Sequence, residues 1–205
     1  MVSPVIVAVM ALIALGIRVI SWGPVFYKQE RIGFGGKPFL CWKFRSMRQN
    51  TGTTCHQEYV QGLVKEGGPM TKMDDLGDPR LIPLGALLRA TGLDELPQVF
   101  NVLRGDMSLV GPRPCIPKEF ECYSEYAKQR CNALPGLTGL WQVSGKNRTT
   151  FSQMIELDLR YIKEQSLWLD ITIMFKTIPV LLVQTVEMVR KRLADSRDLA
   201  RSLSQ

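Results

Sequence analysis

The chain has 205 residues and a mass of 23.2 kDa, which suits one domain of ordinary size that needs no disulfide framework. An apolar content of 45% and a mean hydropathy of −0.00 exclude a disordered tail, and 12 Pro and 17 Gly without a period exclude collagen-like or solenoid repeats. The net charge of +7 is concentrated in residues 18–48, which carry +6, and residues 190–205, which carry +3. Such basic stretches attract anionic lipid headgroups or nucleic-acid phosphates.

Two groups of side chains are of types that can bind metals, but we do not expect either group to form a metal site. The five cysteines include no C-x-x-C pair, and His56 is the chain's single histidine, so a zinc site and a secreted disulfide scaffold are disfavoured and reduced thiols are expected. Three acids, Asp74, Asp75 and Asp78, end the polar stretch 49–78. We expect them to be solvated.

The first predicted element is a helix over the apolar run 5–17, which follows Ser3-Pro4 and precedes Arg18. A helix of this length is about 20 Å long, short of the hydrocarbon core of about 30 Å. We therefore expect it to enter a bilayer without crossing it, or to belong to a longer element. A signal peptide is disfavoured because no basic region precedes the run and no A-x-A-like cleavage site follows it.

A β-hairpin is predicted next, from two short apolar and aromatic runs, 25–27 and 39–42, on either side of the glycine-rich stretch 33–38. The glycines also form a G-x-G-G pattern. No helix pattern follows it, so a turn is favoured over a dinucleotide-binding loop.

The second half of the chain is predicted to be mainly helical. Short helices are expected over 84–91, 97–103 and 120–130, with an extended segment over 107–114. Thr150 and Gln153 form a capping-box pattern that begins a further helix. The final apolar segment, 168–193, contains Asp170, Lys176 and Pro179, so we expect it to lie in a membrane interface or to pack on the body of the protein.

The densest run of chemically useful side chains is 89–114. Pro97 is favourable at the first position of a helix, which would place Asp94 and Glu95 just before that helix, at the positive end of its dipole. A nucleophilic carboxylate, a divalent cation and a substrate phosphate could converge there. In the alternative interpretation, Thr91 and Asp94 form only a capping box and Glu95 is a surface acid.

Two basic features could hold an anionic substrate. Arg113 lies between two prolines that restrict its backbone, an arrangement suited to directing a guanidinium at a phosphate or a planar base. The Lys43-Phe44-Arg45-Ser46-Met47 cluster follows the hairpin and either contacts substrate or forms a membrane-surface patch. Trp141, in the stretch after the glycine-rich Pro135–Gly139 motif, is expected to be buried in a turn.

A set of ordered motifs resembles those of the bacterial sugar transferases, the monotopic phosphoglycosyl transferases. The motifs are Ser3-Pro4, Gly23-Pro24-Val25-Phe26, Lys43-Phe44-Arg45-Ser46-Met47, Asp78-Pro79-Arg80, Leu93-Asp94-Glu95-Leu96-Pro97-Gln98, Gly105-Asp106-Met107-Ser108, Gly111-Pro112-Arg113-Pro114 and Pro135-Gly136-Leu137-Thr138-Gly139. The resemblance extends from residue 3 to about residue 182, and the combination is far more specific than any single motif.

The resemblance implies transfer of a sugar 1-phosphate from a UDP-sugar to undecaprenyl phosphate, a polyprenol phosphate, with release of UMP. This reaction is the first membrane step of a bacterial glycan pathway. Asp94 matches the nucleophile that takes up the phosphosugar, and Glu95 matches its dyad partner. Mg²⁺, assigned to Asp94, is the implied cofactor, and Arg113 is implicated in binding the nucleotide or its phosphates. Further substrate-binding candidates are Lys43, Arg45, Arg89 and Gln98.

The implied fold is α+β, mainly helical, with a small β-hairpin, an N-terminal re-entrant membrane helix and interfacial amphipathic helices. Ser3-Pro4 matches the break in the re-entrant helix, and because only Met1-Val2 precede it, the first arm is expected to be missing. We expect a membrane-inserted segment at 1–22, a catalytic domain at 23–182 and a basic C-terminal helix or tail at 183–205. The expected location is the cytoplasmic face of the bacterial inner membrane.

The implied partners are the nucleotide-sugar donor, the polyprenyl phosphate acceptor and inner-membrane lipids, without nucleic acid. These motifs distinguish no particular sugar and define no oligomeric state. The alternative is a non-catalytic basic module that binds nucleic acid or a membrane surface, which a pI near 9.3 and the aromatic and basic stretch 39–48 would favour. That alternative leaves the acid pair without a role.

Overall fold

The structure is a computed structural model that describes residues 3–48, 80–145 and 148–202, so the expectation for Asp74, Asp75 and Asp78 lies outside the described residues. Most of the described residues are helical. The α-helices are α1 (Pro4–Ile20), α2 (Gly85–Thr91), α3 (Val99–Arg104), α4 (Pro117–Glu121), α5 (Glu125–Lys128), α6 (Leu140–Val143), α7 (Phe151–Glu164) and α8 (Leu167–Ser202). The strands are β1 (Phe26–Ile32), β2 (Pro38–Phe44), β3 (Ser108–Val110) and β4 (Gly136–Thr138), in two two-stranded sheets. A mainly helical α+β chain with a small hairpin is therefore confirmed.

Helix α1 is longer than the predicted run of apolar residues. Pro4 stands at its first position, where the missing N–H has no intrahelical partner to lose, and 17 residues make a helix about 25 Å long. One side of α1 is buried, because Ile17 and Met10 belong to a core cluster with Phe44, Ile82 and Leu88. The other side is exposed and apolar, through Val5, Val7, Leu12, Leu15 and Val19.

Strands β1 and β2 form the predicted antiparallel hairpin. Phe26 pairs with Phe44 at one end and Ile32 with Pro38 at the other. The connection is a short 3₁₀ turn in which Gly35 and Gly36 have φ of 64° and 73°, a conformation that favours glycine. The glycine-rich stretch is therefore a hairpin turn.

Strand β3 confirms the predicted extended segment and pairs in parallel with β4. Backbone approaches backbone closely here. Gly111 donates its N–H to Thr138 and Gly136 donates its N–H to Pro112, each at 2.9 Å. A Cβ on either glycine would collide with the facing main chain, which explains why this pairing requires glycine at both positions.

The predicted helix over 120–130 is wrong. The chain forms α4, then α5, then a 3₁₀ helix, Gln129–Asn132. The break arises because the Ser124 hydroxyl accepts a hydrogen bond from the Ala127 N–H and caps a new helix.

Helices α7 and α8 form the C-terminal part of the described chain. The capping box is confirmed, since the Thr150 hydroxyl accepts from the Gln153 N–H and the Gln153 carbonyl oxygen accepts from the Thr150 N–H. Helix α8 packs on the body of the protein through buried Ile173 and a hydrogen bond between the hydroxyls of Thr177 and Thr138. This packing is one of the two arrangements expected for the final apolar segment.

The opposite side of α8 is exposed and apolar, through Trp168, Phe175, Ile178, Leu182 and Val186. Within the described residues, one helical stretch, Leu167–Lys191, is long and apolar enough to cross a membrane by length and composition. Helix α1 is apolar but shorter.

Candidate active site

The acid pair lies inside a 3₁₀ helix, Leu93–Gln98, which we call the dyad helix. Gly92 ends α2 in the left-handed region, with φ of 71°, so a new helix begins at once. The prediction that Pro97 opens an α-helix preceded by the two acids is therefore wrong, because α3 begins at Val99 and the acids occupy the first turn of the dyad helix. The carboxylates still lie at a helix N-terminal turn.

The two neighbouring acids have different environments. Asp94 is buried, with 5% of its surface exposed. The carboxyl group of Glu95 is half-buried and lies 2.6 Å from the Lys43 ammonium nitrogen. Thr91 is the last residue of α2, and its hydroxyl donates to the Leu87 carbonyl, so the alternative of a Thr91 capping box with a surface Glu95 does not describe this structure.

Asn101 attaches the dyad helix and α3 to the hairpin, a role that the sequence did not reveal. Its side chain is fully buried. The amide nitrogen donates to the Leu40 carbonyl at 2.7 Å, and the amide oxygen accepts from the Trp42 N–H at 3.1 Å. Two bonds to β2 on either side of Cys41 bring Lys43 to the dyad. The single signal in the sequence is a polar residue in an otherwise apolar stretch of α3.

The Pro-Arg-Pro segment, residues 112–114, is held through its carbonyl groups. Its two prolines have no backbone N–H, so most of the polar backbone atoms of this segment are carbonyl oxygens, which accept hydrogen bonds. The Pro112 carbonyl accepts from the Gly136 N–H at 2.9 Å. The Arg113 carbonyl accepts from Arg130 Nη2 at 2.9 Å, and the Pro114 carbonyl accepts from Arg31 Nη1 at 3.0 Å. Three consecutive peptide groups are therefore fixed by three separate parts of the chain.

Glu119 orients the Arg113 side chain. The Arg113 Nη1 lies 3.3 Å from Glu119 Oε1, and the other carboxylate oxygen accepts from the Ile116 N–H at 2.8 Å. Burial raises the pKa of Glu119, but Arg113 and then Arg31 outweigh burial, so the pKa is lowered. Burial likewise opposes the charge of Arg113, and Glu119 raises the pKa of that guanidinium above its ordinary value. Both groups are charged at neutral pH.

A buried ion pair between Arg130 and Asp158 also supports the Pro-Arg-Pro segment. Arg130 and Asp158 are 2% and 1% exposed, and Arg130 Nη2 donates to the Asp158 carboxylate. The other terminal nitrogen of Arg130 donates to the Tyr123 hydroxyl at 3.0 Å. Burial lowers the pKa of Arg130, but Asp158 outweighs burial and the pKa is raised. The charged guanidinium can therefore serve three acceptors.

A small cavity adjoins the Pro-Arg-Pro segment and is lined by Arg113, Arg130, Cys115 and Cys131 among others. The influence of Cys115 is the largest cause that lowers the pKa of Cys131, to about 7, and the influence of Cys131 is the largest cause that raises the pKa of Cys115. Neither Asp94 nor Glu95 lines this cavity.

The structure brings some of the predicted site residues together and separates others. Gln98 is buried in the dyad helix, and Arg89 is half-buried in the last turn of α2, the helix that precedes it. Arg45 is instead attached to the end of α1, because its guanidinium donates to the carbonyls of Trp22 at 2.7 Å and Ser21 at 2.5 Å. A substrate contact of Arg45 stays a prediction.

The described residues can supply few protein ligands to a magnesium ion. Within them, no group of three or more His, Cys, Asp or Glu side chains lies close enough to hold a metal. Mg²⁺ is commonly bound by one or two carboxylates together with substrate phosphates. Asp94, with Glu95 beside it, fits that kind of shared site.

Comparison of the amino-acid sequence with known proteins identifies the family to which the chain belongs. The bacterial sugar transferase family matches residues 1–184. The exopolysaccharide production protein ExoY of Sinorhizobium fredii is 40% identical over 187 residues, which cover 85% of this chain and 81% of the relative. The chain therefore belongs to the bacterial sugar transferase family, as the motifs indicate, and it is an enzyme.

Two further relatives have more specific names. The undecaprenyl-phosphate galactose phosphotransferase of Salmonella typhimurium is 43% identical over 160 residues, which cover 78% of this chain and 34% of the relative. The UDP-glucose:undecaprenyl-phosphate glucose-1-phosphate transferase of Caulobacter vibrioides is 43% identical over 180 residues, which cover 83% of this chain and 61% of the relative. The chain thus spans about a third of the first protein and under two thirds of the second.

Proposed function

We propose that this chain transfers a sugar 1-phosphate from a UDP-sugar to undecaprenyl phosphate and releases UMP. The observation that carries the proposal is the buried carboxylate of Asp94 in the first turn of the dyad helix, beside a Glu95 held by Lys43. The names of the relatives from Salmonella and Caulobacter support the same donor and acceptor classes.

The proposed reaction has two steps. In the first, an Asp94 carboxylate oxygen attacks the phosphorus that bears the sugar, and the bond from that phosphorus to the UMP oxygen breaks. In the second, an oxygen of undecaprenyl phosphate attacks the same phosphorus and displaces the carboxylate. Two steps avoid bringing two multiply anionic substrates together in one site. In this proposal, Glu95 orients the acceptor phosphate or takes its proton.

Charge neutralisation supplies most of the catalysis in phosphoryl transfer. Lys43 contributes a cation at the dyad, and Arg113, held by Glu119, is the proposed group for the nucleotide or its phosphates. Asp94 would hold Mg²⁺ together with the donor diphosphate, and the ion would neutralise charge on the phosphate oxygens.

The proposed location is the cytoplasmic face of the bacterial inner membrane. Helices α1 and α8 each expose an apolar side, and in the sequence the basic stretch 18–48 begins within α1 while residues 190–202 form the end of α8. Apolar surface next to cations suits insertion among anionic headgroups. A chain at that surface can meet a soluble nucleotide sugar from one side and a lipid phosphate from the other. The re-entrant path of α1 stays a prediction.

The decisive experiment is the intact-protein mass after incubation with a panel of UDP-sugars and Mg²⁺, without lipid acceptor. We expect the added mass of one sugar 1-phosphate on wild type, none on Asp94→Asn, and an accumulated adduct on Glu95→Gln. Glu125→Gln is the matched control, because this exposed acid on α5 pairs with Lys128 at the surface. It should form the adduct as wild type does.

Two results would contradict the proposal. One is UMP release by wild type with acceptor present but no adduct in its absence. The other is turnover by Asp94→Asn at the native rate. Binding of an oligonucleotide without any UMP release would instead support the basic module.

A further inference from the structure

We propose that Arg31 is a positioning residue that sets the separation between the dyad and Arg113, so that one extended donor molecule can reach both. The inference rests on the proposed function of the site. Arg31 itself need not touch substrate, since its polar contacts are with the protein.

One face of the hairpin runs from the dyad to the Pro-Arg-Pro segment. Directly paired residues of antiparallel strands share a face, so Tyr27 with Lys43 and Arg31 with Phe39 lie on the same side of the hairpin. The two pairs are four residues apart, which is about 13 Å along the strands. At one end Lys43 binds Glu95, and at the other Arg31 binds the Pro114 carbonyl. A single phosphate cannot span this distance, whereas a nucleoside diphosphate sugar is an elongated molecule.

The Arg31 guanidinium is locked in place by its neighbour on β1. Its Nε and Nη2 donate to the Gln29 side-chain oxygen at 3.2 and 2.7 Å, while Nη1 donates to the Pro114 carbonyl at 3.0 Å. Arg31 is 8% exposed. A planar fork makes these contacts simultaneously, and a lysine ammonium on a flexible chain cannot hold the same geometry.

Arg31 also lies within electrostatic reach of both halves of the site. Burial and then Arg113 lower the pKa of Arg31, whereas Glu119 and, more weakly, Glu95 raise it. A second buried guanidinium beside Arg113 is electrostatically unfavourable. Its presence needs a compensating role, and the hydrogen bond to the carbonyl that follows Arg113 is such a role.

The test is a double-mutant cycle on the full chain in detergent with the UDP-sugar that forms the adduct. Arg31→Lys, Arg113→Gln and the combined variant are compared for donor KM, kcat, the inhibition constant of UMP and Tm. Arg31→Lys should raise the donor KM and the UMP constant about tenfold, because a charge-assisted hydrogen bond is lost, and should leave the lipid KM unchanged. If Arg31 acts through Arg113, the combined variant should match Arg113→Gln alone.

Two further variants keep the test decisive. Gln29→Ala loosens the Arg31 guanidinium without removing a buried charge, so it should raise the donor KM by about two- to threefold even if Arg31→Lys folds poorly. Lys37→Gln removes a cation from the exposed turn of the same hairpin and should change nothing.

The positioning role is overturned if the effects of Arg31→Lys and Arg113→Gln multiply, or if Arg31→Lys and Gln29→Ala lower Tm without raising the donor KM. Either result leaves the Asp94 adduct on wild type intact, so the proposed function would stand. If wild type forms no adduct, that result would instead contradict the proposed function itself.

Discussion

Replacing one member of the buried Arg130–Asp158 pair should destabilise the protein far more than replacing both. Asp158→Asn preserves the shape of the side chain but leaves the Arg130 guanidinium, 2% exposed, without its counter-charge. Breaking such a pair costs about 3–5 kcal/mol. For a chain of this size each kcal/mol shifts Tm by about 2–4 °C, so we expect a fall of roughly 6–20 °C.

The combined variant Arg130→Met with Asp158→Leu removes both charges and should regain most of that stability, because no desolvated charge remains. It should not regain donor affinity. The Arg113 carbonyl and the Tyr123 hydroxyl both lose their donor when Arg130 is replaced. Stability and donor binding should therefore separate in this one variant.

The measurements are thermal unfolding in detergent at neutral pH and the KM for the UDP-sugar. Glu125→Gln is the comparison, because it breaks an exposed ion pair with Lys128. Loss of a surface pair should change Tm by at most a few degrees. The reasoning fails if Asp158→Asn melts within about 2 °C of wild type. It also fails if the combined variant melts as low as Asp158→Asn, since packing or the acceptors that lose Arg130, rather than the unpaired charge, would then explain the loss.

Two further predictions concern acid stability and helix capping. The pKa of Glu119 lies below its ordinary 4.5, so its contribution to the free energy of unfolding is complete above that pH and is lost as the pH falls through the lowered value. Urea unfolding between about pH 3 and 7 should therefore show a steeper loss below about pH 4.5 in wild type than in Glu119→Gln, and equal slopes would contradict the assignment. Thr150→Ala removes an N-cap worth about 1 kcal/mol and should lower Tm by about 2–4 °C with kinetics unchanged. Ser152→Ala, exposed on the same helix, should not lower Tm, and a similar loss in both variants would exclude capping as the cause.

Features encoded by neighbouring residues were predictable from the sequence. The hairpin follows from glycines between two apolar runs, and the start of α7 follows from Thr150 and Gln153, three residues apart. The break of the predicted 120–130 helix depended on whether Ser124 would act as a cap, which its residue type permits but does not require.

Features that depend on distant partners were not predictable in the same way. The Arg31 bond to the Pro114 carbonyl joins residues 83 positions apart, and the Asn101 bond to the Leu40 carbonyl spans 61 positions. Neither bond has a local pattern in the sequence, so neither was predictable, although both join segments that carry the candidate site. Arg45 is a further contact of this kind. Its guanidinium donates to the carbonyls of Ser21 and Trp22 at the end of α1, which the basic motif beside the hairpin did not indicate, and its contact with substrate stays a prediction.

The attachment of α1 has a consequence for how this enzyme can be prepared. Ile17 is fully buried against the cluster that contains Phe44 and Leu88, and Arg45, itself 5% exposed, relies on the carbonyls that follow α1. A fragment without residues 4–22 would expose the apolar side chains that α1 covers. It would also leave the Arg45 guanidinium without the carbonyl groups of Ser21 and Trp22. The apolar helix and the rest of the described protein therefore share one core cluster. Purification must accordingly keep α1, with detergent or lipid covering its outer side.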